Sequence, residues 1–144
     1  TFMNRSGQSV GEAMHFFKLD PGAVTVFHDE LDLAPGKCRV KQGGGHAGHN
    51  GLRNIVAHIG AGFWRVRIGI DHPGDKERVH AHVLGDFAKA EQDQVRDLVG
   101  CAADAFPKLA EGDANAFMSN IALCLNPPKP KAATQPDAAA KAKD

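Results

Sequence analysis

The sequence predicts a single α/β domain, and three observations carry that reading. Apolar residues recur at helical spacing in several stretches, as in Val10, Ala13, Met14 and Phe17. Between them lie short runs rich in β-branched residues, such as Val24-Thr25-Val26-Phe27. At 144 residues and 42% hydrophobic, the chain has material for one core rather than two.

Taken in order, Thr1 to Asn4 reads as a short extended entry, and Ser6 to Lys18 as an amphipathic helix. Asp20-Pro21-Gly22 breaks it. The apolar run that follows suits a parallel strand covered on both faces, ending in the polar block His28-Asp29-Glu30-Leu31-Asp32. In open α/β sheets, sites form where strands end at their carboxyl side. Lys37-Cys38-Arg39-Val40-Lys41 alternates basic and apolar, the pattern of a strand with one wet face. Trp64-Arg65-Val66-Arg67-Ile68 repeats it, setting Arg65 and Arg67 opposite Trp64, Val66 and Ile68. Val79 to Leu84 reads as a further strand with His80 and His82 on one face, Ala88 to Glu111 as a long helix disturbed by Pro107, and Ala114 to Leu125 as a last helix. Residues 127–144, rich in Pro, Ala and Lys, hold too little apolar side chain to fold and read as a disordered tail after a domain of residues 1–126.

Between the two basic strands lies Gly43-Gly44-Gly45-His46-Ala47-Gly48-His49-Asn50-Gly51, with five glycines, two histidines and an asparagine in nine residues. Glycine permits positive φ and close approach of another molecule to the backbone. Leu52, Ile55, Val56 and Ile59 then recur at helical spacing, with Asn50 in the N-cap position. The loop thus feeds a helix N-terminus, whose unpaired N–H groups suit a phosphate, a carboxylate or a developing oxyanion. A long hairpin connection is the plain alternative.

The net charge of zero conceals an asymmetry: residues 36–82 carry eight basic and three acidic groups and six of the eight histidines. A basic patch around a glycine-rich loop points to an anionic partner, phosphate first, against the alternative of a solvated surface. Cys38, Cys101 and Cys124 form no CxxC and read as reduced, buried small hydrophobes rather than a disulfide framework or zinc site. Thr1-Phe2-Met3-Asn4-Arg5 lacks the layout of a signal peptide, and a cytoplasmic protein is expected, without a membrane span.

Three chemistries compete. A metal site from His46, His49, His72, His80 and His82 lacks the usual ligand spacings. A nucleotide loop is opposed by the absence of Gly-Lys-Ser/Thr and of the dinucleotide fingerprint. The third is hydrolysis by activated water, with Asp29 holding a histidine in the right tautomer; the alternative for Asp29 is a turn cap.

Four blocks in order, Thr1-Phe2-Met3-Asn4-Arg5-Ser6-Gly7, His28-Asp29-Glu30-Leu31-Asp32-Leu33, Gly43 to Leu52 and Arg67-Ile68-Gly69-Ile70-x-His72-Pro73-Gly74, resemble bacterial-type peptidyl-tRNA hydrolase over about residues 1–120. The resemblance implies a twisted mixed β-sheet sandwiched between helices in three layers, active as a monomer without metal or cofactor. The implied activity cleaves the ester between peptide and tRNA, with peptidyl-tRNA as partner. It assigns Asp29 to the carboxylate that supports a catalytic histidine, and Asn4 and Asn50 to holding the peptide and the attacking water, Asn50 also meeting oxyanion charge. Phe2, Met3 and His49 become pocket residues, and Lys41 and Arg67 a clamp on a tRNA phosphate. In the family, an earlier segment supplies the first strands and the general-base histidine. No such motif occurs here, so the chain is expected to be a fragment, inactive alone, and a noncatalytic tRNA- or phosphate-binding module is the alternative.

Overall fold

Trp64–Gly69 (β3) is the strand on which the other elements are assembled. In the computed structural model, which describes residues 1–129, it pairs in parallel with Thr25–Glu30 (β1) and antiparallel with Cys38–Gln42 (β2), giving a mixed sheet of order β1-β3-β2. The register decides which side chains share a face. Cys38 stands opposite Ile68 and Val40 opposite Val66, and these four pack toward Lys89–Ala110 (α4) and Ala114–Leu125 (α5). By the alternation of the strand, Arg39, Lys41, Arg65 and Arg67 all lie on the other face, with Arg39 directly opposite Arg67 and Lys41 opposite Arg65. The two basic strand faces therefore coincide.

That other face is covered by Ser6–Phe16 (α1) and Asn50–Ile59 (α2). Leu52, Ile55, Ile59 and Phe63 are buried there with Val10, Met14, Val24 and Val26 packed against them. The helices approach closely because Gly7 carries no side chain: a Cβ at that position would lie 2.3 Å from Asn54 O. The Gly7 N–H instead donates to Asn54 Oδ1 at 2.8 Å. Helices, sheet and helices thus make the expected three layers.

Several expectations are corrected. Residues 79–84 lie in a helix, Lys76–Leu84 (α3), begun by the Asp75 side chain accepting from Glu77 N at 3.0 Å. A capped start outweighs the local alternation, and His80 and His82, about 200° apart around a helix, do not share a face. α4 runs through Pro107 to Ala110, since the proline falls in its last turn. Met3–Arg5 forms a 3-10 turn rather than an extended entry. β1 is an edge strand whose Phe27 is exposed, not a strand covered on both faces. Cys101 and Cys124 are joined in a disulfide between α4 and α5, leaving Cys38 as the free, buried thiol. Their separation of 23 residues is no local motif; the reversal of the chain between two helices brings them together. Pro127–Lys129 has no regular structure, and the remainder of the expected disordered tail lies outside the described residues. No described helix is long and apolar enough to cross a membrane.

Candidate active site

Asp29 lies next to the last residue of β1, and the glycine-rich loop returns from β2 past the same end of the sheet. Gly43 N donates to Phe63 O at 3.0 Å, tying the start of the loop to β3. Positive φ at Gly43, Gly44, Ala47 and Gly48 then folds it back on itself. His49, not Asn50, is the N-cap of α2: its Nδ1 accepts from Leu52 N at 3.1 Å, and Asn50 is the first helical residue. The imidazole takes the role usually given to a short polar side chain because its other nitrogen has a partner as well.

That partner is Asp29, whose Oδ1 lies 2.8 Å from His49 Nε2. An N–H must donate to Nδ1, so Nδ1 is bare and Nε2 carries the proton in neutral His49. Asp29 has one side-chain bond, on Oδ1, and Oδ2 is left open among the described residues. The His49 hydrogen bond holds the Asp29 carboxyl below the usual carboxylate range, against the opposing effect of burial. A lowered carboxyl pKa adds stability above the unfolded value near 4, and that stability is lost as pH falls through the folded value.

His28, which the sequence reading passed over, is the other constituent. Its Nδ1 donates to Asp29 O at 2.7 Å, and its Nε2 is buried without a partner among the described residues. The ring stands edge-on to His49 with centroids 5.4 Å apart. Burial, above all, pushes its pKa down, so His28 is neutral at pH 7 beside the hydrogen-bonded pair of His49 and Asp29. The available signal was its place beside Asp29 at a strand end.

Of the expected pocket residues, Met3 reaches this centre: a Cβ at Gly51 would lie 3.1 Å from Met3 Cγ and 3.0 Å from His49 Cε1. Gly51 thus makes room for both. Phe2 and Asn4 are exposed at the turn packed on α2, and Asn50 is exposed at that helix's first turn. Neither asparagine side chain is hydrogen-bonded among the described residues, so both amides are free for a ligand.

Lys41 is exposed, with Nζ beside Gly44. Arg67 is half-buried, and its Nε donates to Glu30 Oε2 at 3.3 Å, so part of its charge is already compensated. Arg39, exposed and opposite Arg67, belongs to the same cationic face; the alternation of its strand marks it as basic-faced, and only the pairing with a strand 28 residues away shows that it meets Arg67. Arg65 is not on a wet face at all: it is 1% exposed. The histidines weighed as metal ligands are dispersed: His46 Nδ1 accepts from Gly48 N, His72 Nδ1 from Gly74 N, and His82 Nε2 donates to Ile70 O. Among the described residues no three His, Cys, Asp or Glu side chains converge as a metal site would require.

The matches to known proteins fall on this architecture. The family model for peptidyl-tRNA hydrolase matches residues 1–131. A peptidyl-tRNA hydrolase of Dinoroseobacter shibae is 64% identical over 129 residues, covering 90% of this chain and 55% of the relative. One from Cereibacter sphaeroides is 63% identical over 131 residues, covering 91% and 58%. The crystal structure of peptidyl-tRNA hydrolase from Acinetobacter baumannii superposes with a TM-score of 0.77 at 50% identity, over 84% of this chain and 62% of that one. A complex of peptidyl-tRNA hydrolase with N-propanol gives the same score at 48% identity, over 90% and 64%. The chain spans rather more than half the length of these relatives. With the family model covering nearly all of the described fold and the site inside it, the chain belongs to the peptidyl-tRNA hydrolase family.

Proposed function

We propose that this chain, as residues 1–126 of a peptidyl-tRNA hydrolase domain, carries the carboxylate, the amides and the cationic face with which the protein cleaves the ester between peptide and tRNA. The observation that supports this most is the 2.8 Å Asp29–His49 contact at the end of β1, adjoined by Asn50, whose amide has no hydrogen-bond partner among the described residues. In the reaction, water adds to the ester carbonyl carbon, the bond to the ribose oxygen breaks, and a peptide carboxylate and a free tRNA hydroxyl leave. Asn4 and Asn50 are suited to hold peptide carbonyls, and Asn50 to meet the oxyanion. Phe2, Met3 and His49 form the pocket wall.

His49 is a poor base as placed. One nitrogen is protonated toward Asp29 and the other caps α2, so accepting a proton would cost the cap. Asp29 Oδ2 is the open position at which a second imidazole would be oriented, the role the family resemblance gives to a histidine absent from these blocks. Arg39, Lys41 and Arg67 suit phosphates of the tRNA. The reading carries with it a cytoplasmic, monomeric enzyme.

The test joins this chain behind the N-terminal part of the Dinoroseobacter relative and follows release of N-acetyl-aminoacyl groups from tRNA, alongside the 144-residue chain itself. Turnover by the chimera and none by the shorter chain is expected. A folded chimera that binds tRNA without hydrolysis would overturn the enzymatic reading in favour of a binding module, and robust turnover by the chain alone would overturn the need for a second imidazole.

A further inference from the structure

Arg65 is a fully buried cation that faces no carboxylate among the described residues. It sits near the start of β3, the central strand, between Val26 of β1 and Lys41 of β2, where an aliphatic residue would pack at less cost. Its guanidinium donates from Nη1 to Gly45 O and, at 2.6 Å, from Nη2 to Gly44 O. The cationic carbon stands 4.5 Å from the centre of the Phe63 ring, and Nε is buried without a partner among the described residues. Its hydrogen bonds among the described residues are therefore all with two successive carbonyls of the glycine-rich loop.

Those carbonyls need a fixed anchor. Gly43, Gly44, Ala47 and Gly48 have positive φ, and a loop this rich in glycine has many alternative conformations of similar energy. Its described anchors are few: Gly43 N to Phe63 O at 3.0 Å before the arginine contacts, and the local bonds Gly48 N to His46 Nδ1 and His49 N to His46 O after them. Four residues beyond Gly45 the chain reaches His49, which must meet Asp29 on β1. β1 and β3 are hydrogen-bonded neighbours, so a side chain of β3 that grips the loop fixes it in the frame of Asp29.

We infer that Arg65 is the positioning residue of this site, its planar guanidinium bracketing Gly44 O and Gly45 O so that the loop delivers His49 and Asn50 to Asp29. A lysine would keep the charge but would not bridge both carbonyls in one plane. The catalytic consequence rests on the hydrolase reading; the geometric one does not.

Nuclear magnetic resonance on the 144-residue chain tests the geometry without substrate. A bracketed Arg65 gives two separate, slowly exchanging Nη groups, whereas a single averaged signal would overturn the inference without any variant having to fold. Arg65→Lys is expected to remove or broaden the His49 Nε2–H resonance. In the chimera it should lower kcat about 10²-fold, the cost of a displacement near 1 Å, with KM within about twofold. An unchanged His49 signal, or a rise in KM at constant kcat, would overturn the positioning role; the latter would make Arg65 a contact to the tRNA. If the chimera is inactive for other reasons, the resonances still decide.

Discussion

On the α4/α5 side of the sheet, Cys38, Val66, Leu98, Cys101, Ala105, Phe117 and Ile121 form a buried cluster with no charged member, crossed by a disulfide. On the α1/α2 side, Leu52, Ile55, Ile59 and Phe63 share the interior with a buried arginine and a buried, half-satisfied histidine. The same three strands therefore serve as a floor for oil on one side and as a mount for polar groups on the other. Hydrophobic burial is non-directional, and the first side tolerates volume-conserving exchange. Hydrogen bonds to buried groups are directional and costly to leave unmade, and the second side fixes positions to within the tolerance of chemistry.

Four substitutions sharpen this contrast, taken from the largest effect downward. Asp29→Asn in the chimera should lower kcat about 10²- to 10⁴-fold while the melting temperature changes little, because the amide oxygen still accepts from His49 Nε2. Retention of activity per folded molecule would mean that Asp29 is a turn cap and that the polar face is structural too. Cys124→Ser, or reduction with dithiothreitol, should do the reverse. Opening a loop of 23 residues costs about 3 kcal/mol of stability, visible as an earlier denaturant midpoint, with kcat per folded molecule unaltered. A loss of kcat on reduction would show that the two sides are coupled. Lys41→Ala should raise KM, leave kcat nearly alone and lower the slope of log K against log salt by about one unit. Arg67→Ala should lower that slope by less, since Glu30 already neutralises part of its charge. Equal losses on a short substrate without phosphates would remove both residues from tRNA binding.

How much of this was legible in the sequence differs along the same line. α1, α4 and α5, the three strands and the apolar positions that face α4 were readable because periodicity and burial express the same solvent-driven preference. Asp29 and the glycine-rich loop were readable as a strand end and a loop before a helix. Arg65 was read as exposed because alternation assigns a side chain to a face and says nothing about what covers that face. His49 was read as a pocket residue and Asn50 as the cap, because propensity ranks asparagine above histidine there and cannot see Asp29 coming from 20 residues earlier. The disulfide and α3 depended likewise on a chain reversal and on a cap at Asp75, both invisible to a spacing rule.

The missing side chain at Gly7 has an effect on how the site is assembled. Because α1 rests directly on the backbone of α2, the segment bearing Phe2, Met3 and Asn4 and the helix start bearing His49 and Asn50 are built on one packed helical pair. Asp29 alone among these residues belongs to the sheet. The Asp29–His49 hydrogen bond is therefore the side-chain link by which the sheet's carboxylate meets the helical pair, and a substitution that parts α1 from α2 would be felt at that link.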